Sequence, residues 1–141
     1  MTTSTSWGIP VRLPIPNIVG FSYYHMYWDR LHEKYKKAGG HYVRLHRLRA
    51  RAINELLHVP TFIHELQCEP WAPKAIWQVS SYEQDKSMGP ERIKHSIKRA
   101  KATGLYPIDF WGGEWWYWRH LQGDDSIWNA IQIAVSHQKS R

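Results

Sequence analysis

Three short apolar runs, each followed by a loop crowded with aromatic and acidic residues and then by a helical pattern, constrain this chain more than any other feature. The runs are Ile18-Val19-Gly20-Phe21-Ser22-Tyr23-Tyr24, Thr61-Phe62-Ile63-His64-Glu65-Leu66 and Ile108-Asp109-Phe110-Trp111. Their brevity and their β-branched and aromatic content predict buried strands. Between His41 and His58, Leu45, Leu48, Ala52, Ile53 and Leu56 recur at helical spacing. That pattern predicts a helix buried along this stripe, with Arg44, Arg47, Arg49 and Arg51 on a basic outer side. Pro60 ends it. Pro90 and Glu91 open a second helix, buried through Ile93, Ile97 and Ala100 and stopped at Gly104. Asp124-Asp125-Ser126 supplies capping chemistry for a third, with Ile127, Ile131, Ala134 and Val135 on one face.

Strand and helix therefore alternate, which predicts an α/β fold of about three parallel βα units. Residues 1–16, with Pro10, Pro14 and Pro16, read as an irregular or extended lead-in to a domain over 17–141. Tyr24 to Trp28 reads as a loop, and Asp29 to Lys37 as polar and helix-permissive, ended by Gly39-Gly40. In parallel α/β folds sites are built at the carboxyl ends of strands. Function is expected in the three aromatic loops.

Composition removes several classes. Hydrophobic residues make up 43% and charged residues 22%, a globular balance that argues against disorder. The single cysteine, Cys68, cannot form an internal disulfide. No Cys/His spacing matches a zinc framework, so no metal and no cofactor are expected, a centre built from His64, Glu65 and another His being the minor alternative. Neither a nucleophile elbow nor a Gly-rich phosphate loop is present. No basic segment followed by an apolar run opens the chain, and no stretch approaches the ~20 apolar residues of a membrane span. The expectation is a soluble, by default cytoplasmic, protein with no membrane partner. Nine Trp and eight Tyr supply many flat apolar faces. Sugar rings and nucleobases both stack on such faces, although most single indoles in a folded chain are core. The net charge of +7 favours polyanions without naming one.

Three glutamates stand out. Glu65 closes an apolar strand, where its carboxylate serves equally as a cap or salt-bridge partner or as a reacting group. Glu69 follows it in the loop and reads as solvated. Glu114 follows Gly112-Gly113, which permits close approach and also an ordinary turn. Glycoside hydrolysis uses two carboxyl groups flanking the bond, with aromatic platforms positioning the sugar. Glu65 and Glu114 are the catalytic candidates. Tyr24, Trp71, Trp111 and Trp115 are the substrate-binding candidates, Trp111 lying nearest a strand end.

The segments Phe62-Ile63-His64-Glu65-Leu66-Gln67-Cys68-Glu69-Pro70-Trp71 and Phe110-Trp111-Gly112-Gly113-Glu114-Trp115-Trp116-Tyr117-Trp118, preceded by Val19-Gly20-Phe21-Ser22-Tyr23-Tyr24, resemble the seventh, eighth and sixth strand ends of cellulase-like (β/α)-barrel glycoside hydrolases, the retaining clan of endoglucanases and β-glycosidases. The resemblance runs from about Ile18 to about Val135. It implies Glu65 as nucleophile, Tyr24 as an active-site tyrosine and Trp111 as the wall under the sugar. It also implies an acid/base glutamate after a fourth strand, behind an asparagine. Asn54-Glu55 lies inside a helix and does not take that role.

A whole barrel typically takes ~250 residues, and this chain has 141. Three βα units leave strand edges and an apolar inner face to be covered. A truncated chain, a homo-oligomer or complementing barrel fragment, or an acid drawn from Glu114 or Glu69 would each fit. Two copies supply six strands, eight only if the lead-in adds one. The leading expectation is retaining hydrolysis of a β-linked glucan or related glycoside. A noncatalytic carbohydrate-binding remnant stands second. A nucleic-acid-binding module stands third, because the Arg-rich face is explained as a solvated helix exterior.

Overall fold

The computed structural model describes residues 2–5, 14–39 and 41–136. Strand β1 (Thr2–Thr5) pairs in parallel with β2 (Ile18–Tyr23), and an antiparallel hairpin of β3 (Met26–Asp29) and β4 (Lys34–Lys37) follows. Helix α1 (Tyr42–Leu57) leads to β5 (Thr61–Gln67), and α2 (Ser81–Met88) and α3 (Pro90–Lys101) lead to β6 (Ile108–Trp111). Helices α4 (Gly113–Leu121) and α5 (Ser126–Ser136) come last. The main sheet has the order β1-β2-β5-β6, every pairing parallel. The fold is thus mixed α/β, with the three anticipated strands adjacent and in chain order.

The start of the lead-in is extended and adds a strand to the sheet. Thr2–Thr5 forms the edge strand, while residues 6–13 lie outside the described ones. The hairpin replaces the expected loop and helix-permissive segment. Asp29 explains why: its Oδ1 accepts from Leu31 N–H at 3.0 Å, and its Oδ2 takes His32 Nδ1 at 2.7 Å and the Lys36 ammonium. A side chain that bonds backbone two residues on offers the chain a turn in place of a helix. Trp28 and Tyr35 then meet edge-on across the strands, 4.9 Å between ring centres.

Helix α1 is where expected, but it is rolled about its axis. It buries Tyr42, His46, Arg49, Ala50 and Ile53, while Leu45, Leu48 and Leu56 are 39%, 55% and 72% exposed. The sheet below presents the rings of Phe21 and Tyr23, and these take aromatic and cationic neighbours. Tyr42 and His46 pack on Tyr23 at 4.8 and 5.1 Å, and the Arg49 guanidinium lies 4.6 Å over Phe21. Arg44, Arg47 and Arg51 are outward as anticipated; Arg49 is not.

Helix α3 buries Ile93, Ile97 and Ala100 as its spacing predicts. In α5, Ile127 and Ile131 are buried with Ala130, but Val135 is exposed. Helix α2 begins at a side-chain N-cap, Ser80 Oγ accepting from Glu83 N–H at 3.3 Å. The aromatic segment after β6, expected as loop, forms α4 instead. Its Arg119 is 2% exposed and ion-paired to Asp85 and Asp124, with Gln84 as a further acceptor. This cluster ties α2 and the turn before α5 to α4. Among the described residues no helix is long and apolar enough to cross a membrane.

Candidate active site

The carboxyl ends of β2 and β5 build the site, and two irregularities of the sheet aim it. In the β2–β5 pairing the register shifts between Phe21 and Ser22, so Glu65 comes to lie opposite Ser22, and the β5–β6 pairing is irregular over the same stretch, between Ile63 and Leu66. Such bulges redirect a side chain without ending the strand. Gly20 is required beneath them, because a Cβ there would stand 2.8 Å from Cβ of His64.

Glu65 Oε2 accepts a hydrogen bond from Ser22 Oγ at 2.9 Å and another from the Tyr24 hydroxyl. His64 Nε2 lies 3.8 Å from Glu65 Oε1 and 3.3 Å from Ser22 Oγ. About a quarter of the Glu65 side chain stays accessible, 24%, so the carboxylate is held but can be reached. Burial, and next its bond to the Glu65 carboxylate, push the Tyr24 hydroxyl well above the usual tyrosine range. Tyr24 therefore remains a donor. Its ring packs against Trp71 with 4.9 Å between centres.

Gln67, one turn of the strand further, is fully buried and fixes the hairpin that follows Tyr24. Its Oε1 accepts from the backbone N–H groups of His25 and Met26, both at 3.0 Å, and its Nε2 donates to Met26 O at 2.7 Å. The strand end and the segment after Tyr24 are thus tied together.

Glu69 is the second acidic group near the cluster. Its Oε1 accepts from Trp111 Nε1 at 2.7 Å. Burial raises its pKa, the Trp111 bond works in the opposite direction, and the charge of Glu114 raises it further. Glu69 in turn acts electrostatically on Tyr24, so the two share one environment. Glu114 is exposed in the first turn of α4. Gly112, with φ +129°, makes this junction: a Cβ there would meet Cys68 O at 2.8 Å. Trp116 Nε1 closes the same seam on Cys68 O at 2.7 Å.

The predicted site residues therefore separate. Glu65, Tyr24 and Trp71 are brought together, and Trp111, 46% exposed, is tethered to the same loop through Glu69. Trp115 is a correction. It is 4% exposed, donates to Gln84 Oε1 at 2.9 Å and lies against the Arg119 guanidinium, so it is a core residue and presents no face to a ligand. Within α4 its neighbours on either side are more accessible, because only one side of a helix can face the core. Glu69, read as merely solvated, instead orients Trp111. Ser22 and Gln67 were not singled out; a polar residue inside an apolar strand run is the signal they carried.

Comparison with protein-family models, curated proteins and solved structures gives no match to this chain. Function is argued from the site itself.

Proposed function

We propose that this chain is a glycosidase-type carbohydrate-active domain, part of a (β/α) barrel, with Glu65 as the nucleophile of a retaining reaction. The observation that carries the reading is the Glu65 carboxylate at the end of β5, held by Ser22 and Tyr24 beside the exposed ring of Trp71. A fixed, accessible carboxylate next to a stacking surface is what displacement at an anomeric carbon needs. The resemblance of the three strand ends to cellulase-like hydrolases supports the same assignment.

In this reading Glu65 attacks the anomeric carbon while the leaving oxygen takes a proton from an acid. Water, giving its proton back to that acid, then releases the sugar from Glu65. Of the two acids the chain offers nearby, Glu69 suits the role better than Glu114, because burial raises its pKa. Closure of the barrel by a second copy or another βα segment belongs to the same proposal. With β1 in the sheet each copy brings four parallel strands, so the count no longer stands against a pair.

A noncatalytic glycan-binding domain is the second reading. It is favoured by the bond from Trp111 Nε1 to Glu69, which makes that carboxylate a positioner of the indole. Glu65→Gln keeps an acceptor for Tyr24 and Ser22. It is expected to bring turnover of an aryl β-glycoside and of soluble β-glucan to background with thermal unfolding unchanged. Full activity in Glu65→Gln removes the assignment; glycan binding without turnover by the unaltered chain selects the second reading.

A further inference from the structure

Trp71 lines two cavities. The first, about 530 Å3, is lined by Tyr24, Tyr27, Tyr42 and Trp71, with Lys37 on its wall. The second, about 400 Å3, is lined by Trp28, Trp71 and Trp77, with Arg30, Lys74 and Glu69. Both volumes fall within the ~300–1,000 Å3 of small-ligand sites. The two meet at Trp71, which lines both; Tyr24 lines the first part of this aromatic cleft and Glu69 the second.

Two features of this cleft are unexplained by the fold. Trp77 is 75% exposed and Trp71 40% exposed, a large apolar area to leave in water unless a ligand covers it. The cations are also uncommitted. Lys36 is engaged by Asp29, but the salt bridges among the described residues use none of Arg30, Lys37 and Lys74. The one acid on either wall, Glu69, is occupied by Trp111. Each cavity thus pairs flat aromatic faces with unspent positive charge.

We propose that the cleft astride Trp71 takes an acidic glycan, a β-linked chain bearing uronate carboxylates. Sugar faces stack on Trp71 and Trp77, and the carboxylates meet Arg30 and Lys74 on one side and Lys37 on the other. A nucleic acid also offers flat rings and one negative charge per residue; the glycan is favoured because Tyr24, which lines the first cavity, donates to the Glu65 carboxylate on which the glycan reading stands, and oligothymidylate is an arm of the test. The proposal rests on the glycan reading of the site and names its substrate class.

The test is titration of the unaltered full chain, followed by tryptophan fluorescence, with a β-1,4-linked oligomannuronate, with cello-oligosaccharide of the same length and with oligothymidylate. Exposed charge pairs are each modest, so the uronate is expected to bind about tenfold tighter than the neutral glycan at low salt, a margin that shrinks as salt is added. The double variant Arg30→Ala/Lys74→Ala is expected to lose most of that margin and keep its affinity for the neutral glycan. Arg30→Lys/Lys74→Arg is expected to retain it. Trp71→Ala is expected to weaken both glycans. Equal binding of the two glycans, or a margin that survives Arg30→Ala/Lys74→Ala, overturns the acidic-glycan proposal and leaves the glycan reading standing. Binding of neither glycan overturns both, and oligothymidylate binding above either glycan assigns the cleft to nucleic acid.

Discussion

Gln67→Leu isolates the link between the strand that carries Glu65 and the hairpin that follows Tyr24. The substitution nearly preserves volume but removes the partners of three buried backbone groups: the N–H of His25, the N–H of Met26 and the C=O of Met26. An unsatisfied buried polar group costs about 1–3 kcal/mol. Three such groups set a ceiling of about 9 kcal/mol, and rotation of the short hairpin toward water recovers much of it, so a loss of about 3 kcal/mol is expected. With a urea slope of ~2 kcal/mol/M the unfolding midpoint falls by ~1.5 M. Equilibrium unfolding followed by tryptophan fluorescence reads the midpoint and the slope together. An unchanged slope with a lowered midpoint identifies a native-state loss. Glycan affinity, measured under conditions where Gln67→Leu is still folded, is expected to fall as well, because Tyr24 immediately precedes the released residues. A midpoint shift under ~0.3 M would show that the hairpin holds itself without Gln67 and would refute the argument.

Tyr24→Phe removes one charge-assisted hydrogen bond from Glu65 while Ser22 Oγ remains; turnover is expected to drop roughly 10- to 100-fold, for a bond worth about 1.5–3 kcal/mol, with the melting temperature nearly unchanged. Turnover within twofold of the unaltered chain removes Tyr24 from the chemistry. Trp115→Ala and Trp111→Ala are expected to part company: the first loses about 3–5 kcal/mol of stability as a core indole, and the second weakens glycan binding with little effect on unfolding. Stability is also expected to depend on the proton state of His25. Burial first, and then the charges of Arg99, His95, Arg92 and Lys37, lower its pKa from 6.5 to about 4. The unfolded chain binds this proton more readily, so the contribution is present above pH 6.5 and is lost as pH falls toward 4. The loss is on the order of 3 kcal/mol, and urea unfolding at pH 7 and pH 4.5 should show it shrink in His25→Gln.

Much of the site was legible before the fold was known. Glu65, Tyr24 and Trp71 could be placed together because each sits at or just beyond the carboxyl end of a strand, and parallel strands bring those ends to one edge. The partners that hold them were less legible. Ser22 meets Glu65 only because an extra residue in β5 shifts the register between Phe21 and Ser22, and no local pattern in either strand states that register. Trp115 and Trp116 are neighbours in an aromatic run, yet one donates to Gln84 in the core and the other to the Cys68 carbonyl.

The sequence by itself determined the order of the three strands β2, β5 and β6, the span of α1, the Pro-led start of α3 and the cluster of carboxylate and aromatics at the strand ends. These follow from local chemistry: β-branched runs, helical periodicity, and the backbone limits of proline and glycine. Only the tertiary structure decided which stripe of α1 faces the sheet, that 26–37 is a hairpin, and which indoles are core and which are open. Those choices depend on what lies opposite. Arg49 is inside because Phe21 offers it a ring, and Leu45, Leu48 and Leu56 are outside although their spacing alone marks them as the buried side. Periodicity supplies candidate faces, and the neighbouring surface selects among them.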